Sequence, residues 1–272
     1  MDYTKFEQMA KNVRAGVIKA ISAAGSGHPG GSLSAADIVT ALYFSEMNID
    51  PENPKMKDRD RFILSKGHAG PVQYAALALR GYYRTEDVLT LRKIGSNFQG
   101  HPNMHEVPGI EMSTGSLGQG FAAAGGMALG EKISGGRGRV YVLLGDGELQ
   151  EGIVWEQAMS AAHYHLDNLC AIVDWNGLQI DGKNDDVMKV APIADKFKAF
   201  GWNVISIDGH NFEQIFGAFD AAKACKGKPT VIIAKTKKGK GVSFMEDNAG
   251  WHGKAPNAEE TEKALAEIGG EF

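Results

Sequence analysis

The sequence predicts an α/β fold in three layers, α/β/α, around a mostly parallel central sheet. Three observations carry that prediction. Short continuous apolar runs such as Val140 to Leu144 and Leu169 to Val173 read as strands buried on both faces. Segments with apolar residues at three-to-four spacing stand between them and read as helices. The two kinds alternate along the chain, the order in which crossover helices join parallel strands.

The elements follow in sequence. Phe6, Met9, Val13, Val17 and Ile21 share one helical face, so residues 3–24 read as an amphipathic helix that Gly25 stops. Residues 25–32 then read as a loop and Ala35 to Glu46 as a second helix. Asp50-Pro-Glu-Asn-Pro54 and a charged turn lead to a short strand, Arg61 to Leu64, before an Ala- and Leu-rich helix that reaches Arg80. Residues 85–93 read as helical. Residues 94–117 are rich in Gly, Pro, Asn and His without periodicity, which in a compact domain marks a functional loop. Gly118 to Ile133 is a helix of small residues able to approach a sheet closely.

Two strand and helix units follow, with a helix from Ile153 to His165 between the strands at 140 and 169. Beyond Trp175 come a helix at 191–200, a strand from Trp202 to Ile207, a helix from Phe212 to Ala224 and a strand from Pro229 to Lys235. Asn257 with Glu260 three residues on is a capping-box helix start leading into Lys263 to Ile268. Trp155, Trp175 and Trp202 read as core.

Composition narrows the function. A chain of 272 residues is long enough for one large domain with its own core. A net charge of −4 gives no basis for nucleic-acid or membrane-surface binding. Two cysteines, Cys170 in a strand and Cys225 near a helix end, make no disulfide framework and suit a reducing compartment, so the cytoplasm is the default. No signal peptide and no apolar run of about 18 residues is present. The 35 glycines gather between elements, at 25–31, 115–126, 135–138, 145–152 and 239–241, where backbone can come close to a ligand.

The most telling stretch is Val140 to Glu151, in which a buried strand ends in Gly145-Asp146-Gly147. Asn176 stands thirty residues after Asp146 at the end of the next strand. A crossover helix between them brings both residues to the carboxyl ends of nearby strands, where such sheets bind ligands. One carboxylate and one amide suit Mg²⁺, which takes few protein charges and completes its oxygen shell with phosphate and water. Gly147 lets the backbone approach a diphosphate. Gly-Asp-Gly alone reads as a plain turn; the flanking strands and the Asn-Gly favour the metal and diphosphate. Read alone, Lys235-Thr-Lys-Lys-Gly-Lys240 is a solvated basic loop, and Glu151 and Glu156 are carboxylates favoured by a helix dipole.

Gly-Asp-Gly followed by Asn resembles the thiamine diphosphate motif. Ser26-Gly-His-Pro-Gly30, Asp60-Arg-Phe-Ile-Leu-Ser-Lys-Gly-His68, Gly100-His-Pro102, Thr114-Gly-Ser-Leu-Gly-Gln-Gly120 and Trp251-His-Gly-Lys254 stand in register with it. Together they resemble the amino-terminal, diphosphate-binding half of transketolase over nearly the whole chain. The resemblance implies a thiamine diphosphate-binding domain (PP domain) over 1–272, with an inter-domain tail from about 236, and neither the pyrimidine-binding nor the carboxy-terminal domain. It implies one subunit of a split transketolase, a pentose phosphate pathway enzyme, that transfers a two-carbon ketol unit from a ketose phosphate to an aldose phosphate. A partner chain would supply the missing domains, in an α₂β₂ assembly.

Residue by residue, the resemblance makes His28, His68, His101 and His252 donors or proton-transfer groups. It places Gly115, Ser116, Leu117, Gly145, Asp146, Gly147, Asn176 and Lys238 at the coenzyme, with His68 and His252. It makes Asp146, Asn176 and the carbonyl of Leu178 ligands of Mg²⁺, or of Ca²⁺ or Mn²⁺, and turns Glu151 and Glu156 toward a subunit interface. His105, His163, His165 and His210 match no motif and read as ordinary. The α chain of a 2-oxoacid dehydrogenase first component is the near alternative, against which the His-Pro motifs argue. 1-Deoxyxylulose-5-phosphate synthase and dihydroxyacetone synthase share parts of the set, and a non-catalytic binding module is the alternative of another class.

Overall fold

Five parallel strands form the centre of the structure, a computed structural model that describes residues 2–272. In chain order the strands are β1 (Arg61–Leu64), β2 (Val140–Gly145), β3 (Leu169–Trp175), β4 (Leu178–Gln179), β5 (Gly182–Lys183), β6 (Asn203–Asp208) and β7 (Thr230–Lys235). The sheet runs β1-β2-β3-β7-β6, and β4 and β5 make a separate antiparallel pair. The α/β fold in three layers is therefore the one the sequence predicts.

Strand pleating explains the layers, because successive side chains point to opposite faces. Val140, Val142 and Leu144 of β2 pack into one core with Ala171 and Val173 of β3, while Tyr141 and Leu143 join Cys170 and Ile172 in the other. The second core is covered by α1 (Thr4–Ala24), α2 (Pro29–Ser34), α3 (Ala36–Ala41), α4 (Gly70–Arg80), α5 (Thr85–Val88) and α10 (Phe212–Ala224). The first is covered by α6 (Gln119–Ile133), α7 (Gly152–His163) and α9 (Ile193–Ala199). Glycines let α6 come this close: a side chain at Gly120 would lie 2.7 Å from the Ser65 Cα. A short helix α8 (Asn184–Val187) follows β5, and α11 (Ala258–Ile268) packs against α1. Its predicted capping box is present, with Glu260 N donating to Asn257 Oδ1 at 2.8 Å and Asn257 N to Glu260 Oε2 at 2.9 Å.

Four expectations need correction. The loop predicted at 25–32 turns helical at Pro29, since proline is preorganised for a first helical position. The helix predicted from Ala35 to Glu46 is α3 followed by a wider π turn, Leu42–Glu46. The helix predicted at 85–93 ends at Val88, and Arg92 turns left-handed at φ 60° to donate its N–H to Phe98 O at 2.8 Å. Trp202 is core, but Trp155 and Trp175 are half-buried, each with a lysine ammonium over its ring. Among the described residues no helix is long and apolar enough to cross a membrane.

Candidate active site

The carboxyl ends of β1, β2, β3 and β7 open onto one cavity of about 210 Å³. Parallel register sets Gly145 beside Asp174 and Asp174 beside Ala234, so the residues that follow each strand meet along one edge. That edge is where the spacing of Asp146 and Asn176 pointed.

Asp146 is 2% exposed, and backbone amides bond both of its carboxylate oxygens. Oδ1 accepts from Gly147 N at 2.8 Å and Oδ2 from Gly177 N at 2.5 Å. The second contact is made where the chain turns left-handed, at Gly177 with φ 81°. It also brings the neighbouring Asn176 beside Asp146, and Asn176 Oδ1 accepts from Leu178 N at 3.1 Å. Burial pushes the Asp146 carboxyl above the usual carboxylate range, and the hydrogen bond from Gly177 only partly opposes this. Behind Gly147 stands Asn184, 3% exposed, with neither side-chain amide atom hydrogen-bonded.

Among the described residues no three His, Cys, Asp or Glu side chains are grouped to hold a metal. A carboxylate, an amide and the Leu178 carbonyl form an all-oxygen set with one charge, which fits a hard divalent cation completed by phosphate oxygens. The Leu178 carbonyl already accepts from Lys238 Nζ at 3.1 Å, leaving its second lone pair for a cation. Lys238 is buried, and burial, helped by the nearby Lys66 charge, pulls its ammonium down to about 8.

Opposite this rim the four motif histidines converge. Ring centroids lie 5.3 Å apart for His28 and His68, 5.5 Å for His28 and His252, 5.1 Å for His68 and His252, and 6.3 Å for His28 and His101. Burial, with the Arg92 charge, lowers His28 to about 4; burial, with Lys238, lowers His252 to about 3. His68 is held well below the usual range by burial and Lys66, and His101 is lowered by burial and Arg92. All four are neutral at pH 7. His252 Nδ1 lies 2.9 Å from the Lys238 ammonium and accepts from it, and His28 Nδ1 is buried without a partner.

The remaining predicted residues lie at or near this cavity, with one exception. Leu117 lines the cavity, Ser116 is exposed beside it, and Gly115 takes φ 156° against the His101 ring. Glu151 is at the cavity rim, whereas Glu156 is exposed on α7.

The structure adds residues that sequence reasoning missed. Glu148, 2% exposed, accepts from Ser65 Oγ at 2.5 Å, Gly118 N at 2.7 Å and Gly145 N at 3.0 Å, tying the loop after residue 114 to β1 and β2. Lys66 and Asp174 form a buried ion pair; Lys66 also donates to Gly31 O at 2.7 Å, and Asp174 accepts from Ser34 Oγ at 2.5 Å and from Thr236 Oγ1. Burial pushes the Asp174 carboxyl up, but Lys66 and these donors outweigh it and hold the group below its ordinary value. An acidic residue closing the apolar run Leu169 to Val173 was the available signal.

Residues 6–271 match the family model described as transketolase, thiamine diphosphate binding domain. The 6-deoxy-6-sulfo-D-fructose transketolase subunit SqwG of Clostridium sp. (strain MSTE9) is 45% identical, covering 96% of this chain and 95% of that protein. An apulose-4-phosphate transketolase subunit of Phocaeicola vulgatus is 41% identical over 98% of this chain and 95% of its own length. Human transketolase is 44% identical over 95% of this chain, which spans 41% of it. Transketolase from Campylobacter jejuni superposes with a TM-score of 0.94 at 35% identity, over all of this chain and 44% of that one.

Proposed function

The chain belongs to the family of transketolase thiamine diphosphate-binding domains, and from that premise we propose that it is the coenzyme-anchoring subunit of a two-chain transketolase. One observation carries the reading. The oxygen set of Asp146, Asn176 and Leu178, beside Lys238, shares a cavity with the imidazoles of His68 and His252, against which His28 and, beyond it, His101 are packed. The first group suits a divalent cation and a diphosphate, and the second suits proton exchange with sugar hydroxyls.

When bound, thiamine diphosphate supplies the nucleophile and electron sink for breaking and remaking a carbon–carbon bond. The chain positions it and handles protons. Asp146, Asn176 and the Leu178 carbonyl hold Mg²⁺, or Ca²⁺ or Mn²⁺, against the diphosphate, with Lys238 supplying a second positive charge. Gly147 and the backbone of Gly115, Ser116 and Leu117 pack along the coenzyme. His28, His101 and His252 accept and return protons at substrate hydroxyls, for which their unprotonated state at pH 7 prepares them. His68 packs among them beside the coenzyme.

A partner subunit supplies the pyrimidine-binding and carboxy-terminal domains, in an α₂β₂ assembly that Glu151 and Glu156 face. Support comes from the subunit-type relatives, which this chain covers almost end to end, and from its spanning only 41% of human transketolase. Those two relatives have a sulfonated and a phosphorylated sugar in their names. The reaction read here is transfer of a two-carbon ketol unit from a ketose phosphate, or a similarly anionic ketose, to an aldose phosphate.

The test is reconstitution. The chain alone, with thiamine diphosphate and Mg²⁺, should show no ketol transfer, and a chain carrying the missing domains should restore it. Activity without a partner would refute the two-chain reading. A two-chain complex that takes up no coenzyme in calorimetry would refute the site.

A further inference from the structure

We propose that His210, which lies outside the cavity, is a positioning residue that sets Lys238 against the diphosphate; this rests on the preceding reading of Lys238. His210 follows β6, and the turn it occupies abuts the loop that leaves β7. Gly209 N donates to Lys235 O at 2.8 Å, and a side chain at Gly209 would lie 2.5 Å from Thr236 Cγ2. The two turns are pressed together with no room between them.

The ring is bonded at both nitrogens. His210 Nδ1 lies 2.6 Å from Asp37 Oδ2, and Nε2 accepts the backbone N–H of Lys237 at 2.9 Å. An amide N–H can only donate, so Nε2 carries no proton and the ring proton sits on Nδ1, toward Asp37. Asp37 is itself fixed, because Arg14 grips both its oxygens at 3.1 and 2.5 Å. Arg14 Nε also donates to Leu33 O, at 3.3 Å, in α2. From the same helix, Gly30 O accepts from Gly239 N at 3.0 Å.

Helices α1, α2 and α3 are thereby connected through one imidazole to the loop that carries Lys238. The loop has other backbone anchors: before Lys238, Thr236 N donates to Trp175 O at 3.1 Å and Lys237 O accepts from Lys240 N at 3.2 Å, and after it Gly239 N donates to Gly30 O and Asp247 N to Lys238 O, both at 3.0 Å. His210 holds the one N–H directly before Lys238, that of Lys237. Without it the Lys237 N–H loses its partner, and the turn from Thr236 to Gly239 can shift and carry Nζ away from Leu178 O and His252 Nδ1.

The experiment titrates thiamine diphosphate with Mg²⁺ into the two-chain complex and compares His210→Asn with His210→Gln. Asparagine keeps a donor toward Asp37 but places nothing at Nε2, whereas glutamine puts an oxygen where Nε2 stood. Outer residues that orient a ligand are worth roughly 10–100-fold in affinity, so His210→Asn should weaken uptake by about tenfold or more and His210→Gln should restore most of it. In a Lys238→Ala background His210→Asn should add no further loss, since the histidine acts through that lysine. Uptake unchanged in His210→Asn, or an equal further loss in the Lys238→Ala background, overturns the proposal. If His210→Asn does not fold, His210→Ser, which also places nothing at Nε2, takes its place in the same comparison, and the same two outcomes decide. If Lys238→Ala leaves uptake untouched, the reading of Lys238 fails first and the role of His210 falls with it.

Discussion

Asp146 and Asp174 sit at the ends of neighbouring strands, both all but inaccessible to water, and differ in what surrounds them. Asp174 has a lysine ammonium and two hydroxyl donors from three other segments, and stays ionised despite complete burial. Asp146 has two backbone amides and no side-chain cation bonded to it, and burial raises it. The protein completes one carboxylate with its own charge and bonds no counter-charge to the other. A buried carboxylate without a protein counter-charge suits a metal ligand, so on the function proposed above the contrast would separate a structural acid from a binding one.

The largest effect should come from breaking the structural member. Lys66→Met leaves Asp174 as an uncompensated buried charge, which costs about 3–5 kcal/mol and lowers the melting temperature by roughly 5–15 °C. Thermal unfolding of the chain without coenzyme reads this directly. A change of under about 1 kcal/mol would mean that the pair contributes no more than an exposed one.

Asp146→Asn should act the other way around. It removes the ligand charge while keeping size, so coenzyme uptake with Mg²⁺ should fall by about a hundredfold, about 2.7 kcal/mol, with a smaller loss of melting temperature than Lys66→Met. Calorimetry and thermal unfolding on the same preparation separate the two. If Asp146→Asn destabilises as much as Lys66→Met, the division into structural and binding carboxylates fails.

The histidines extend the contrast to pH. His28 and His252 fall from 6.5 to about 4 and about 3 in the folded chain. Below pH 6.5 the unfolded chain therefore binds protons that the folded rings refuse, and bound protons favour the state that accepts them. Stability should rise with pH from about 3 or 4 up to 6.5 through these rings and be indifferent to them above it. The check is the slope of melting temperature against pH, which His28→Asn and His252→Asn should each flatten. A slope unchanged in both variants would show that the rings are protonated in the fold.

How much of this was legible in the chain follows from what kind of signal each feature leaves. Strands β2 and β3 are continuous apolar runs, and pleating turned them into two cores as expected. Asp146 and Asn176 were legible because both sit just past such runs, so topology alone brought them to one edge. Lys66 and Asp174 were not, since a buried ion pair made from residues 108 positions apart has no local pattern. Glu148 was masked by its neighbours, as nothing in Gly147-Glu-Leu-Gln150 says which acid turns inward. His210 read as ordinary because its two partners, Asp37 and Lys237, lie in different segments.

Glu148, Glu151 and Glu156 give the smallest effect and the most local version of the same contrast. Glu148 is 2% exposed and bonded by three donors, while Glu151 and Glu156 are exposed. Surface substitutions away from specific contacts stay within about 0.5 kcal/mol, so Glu156→Ala should leave the melting temperature of the single chain unchanged. If Glu156 faces a partner subunit, its removal should appear only when two chains are titrated together, as an affinity change of at most about fivefold, the scale of one exposed charge. A drop in single-chain stability would place Glu156 in the fold with Glu148, and unchanged pairing would remove it from the interface, leaving Glu151 at the cavity rim as the one carboxylate of the two that a partner could meet.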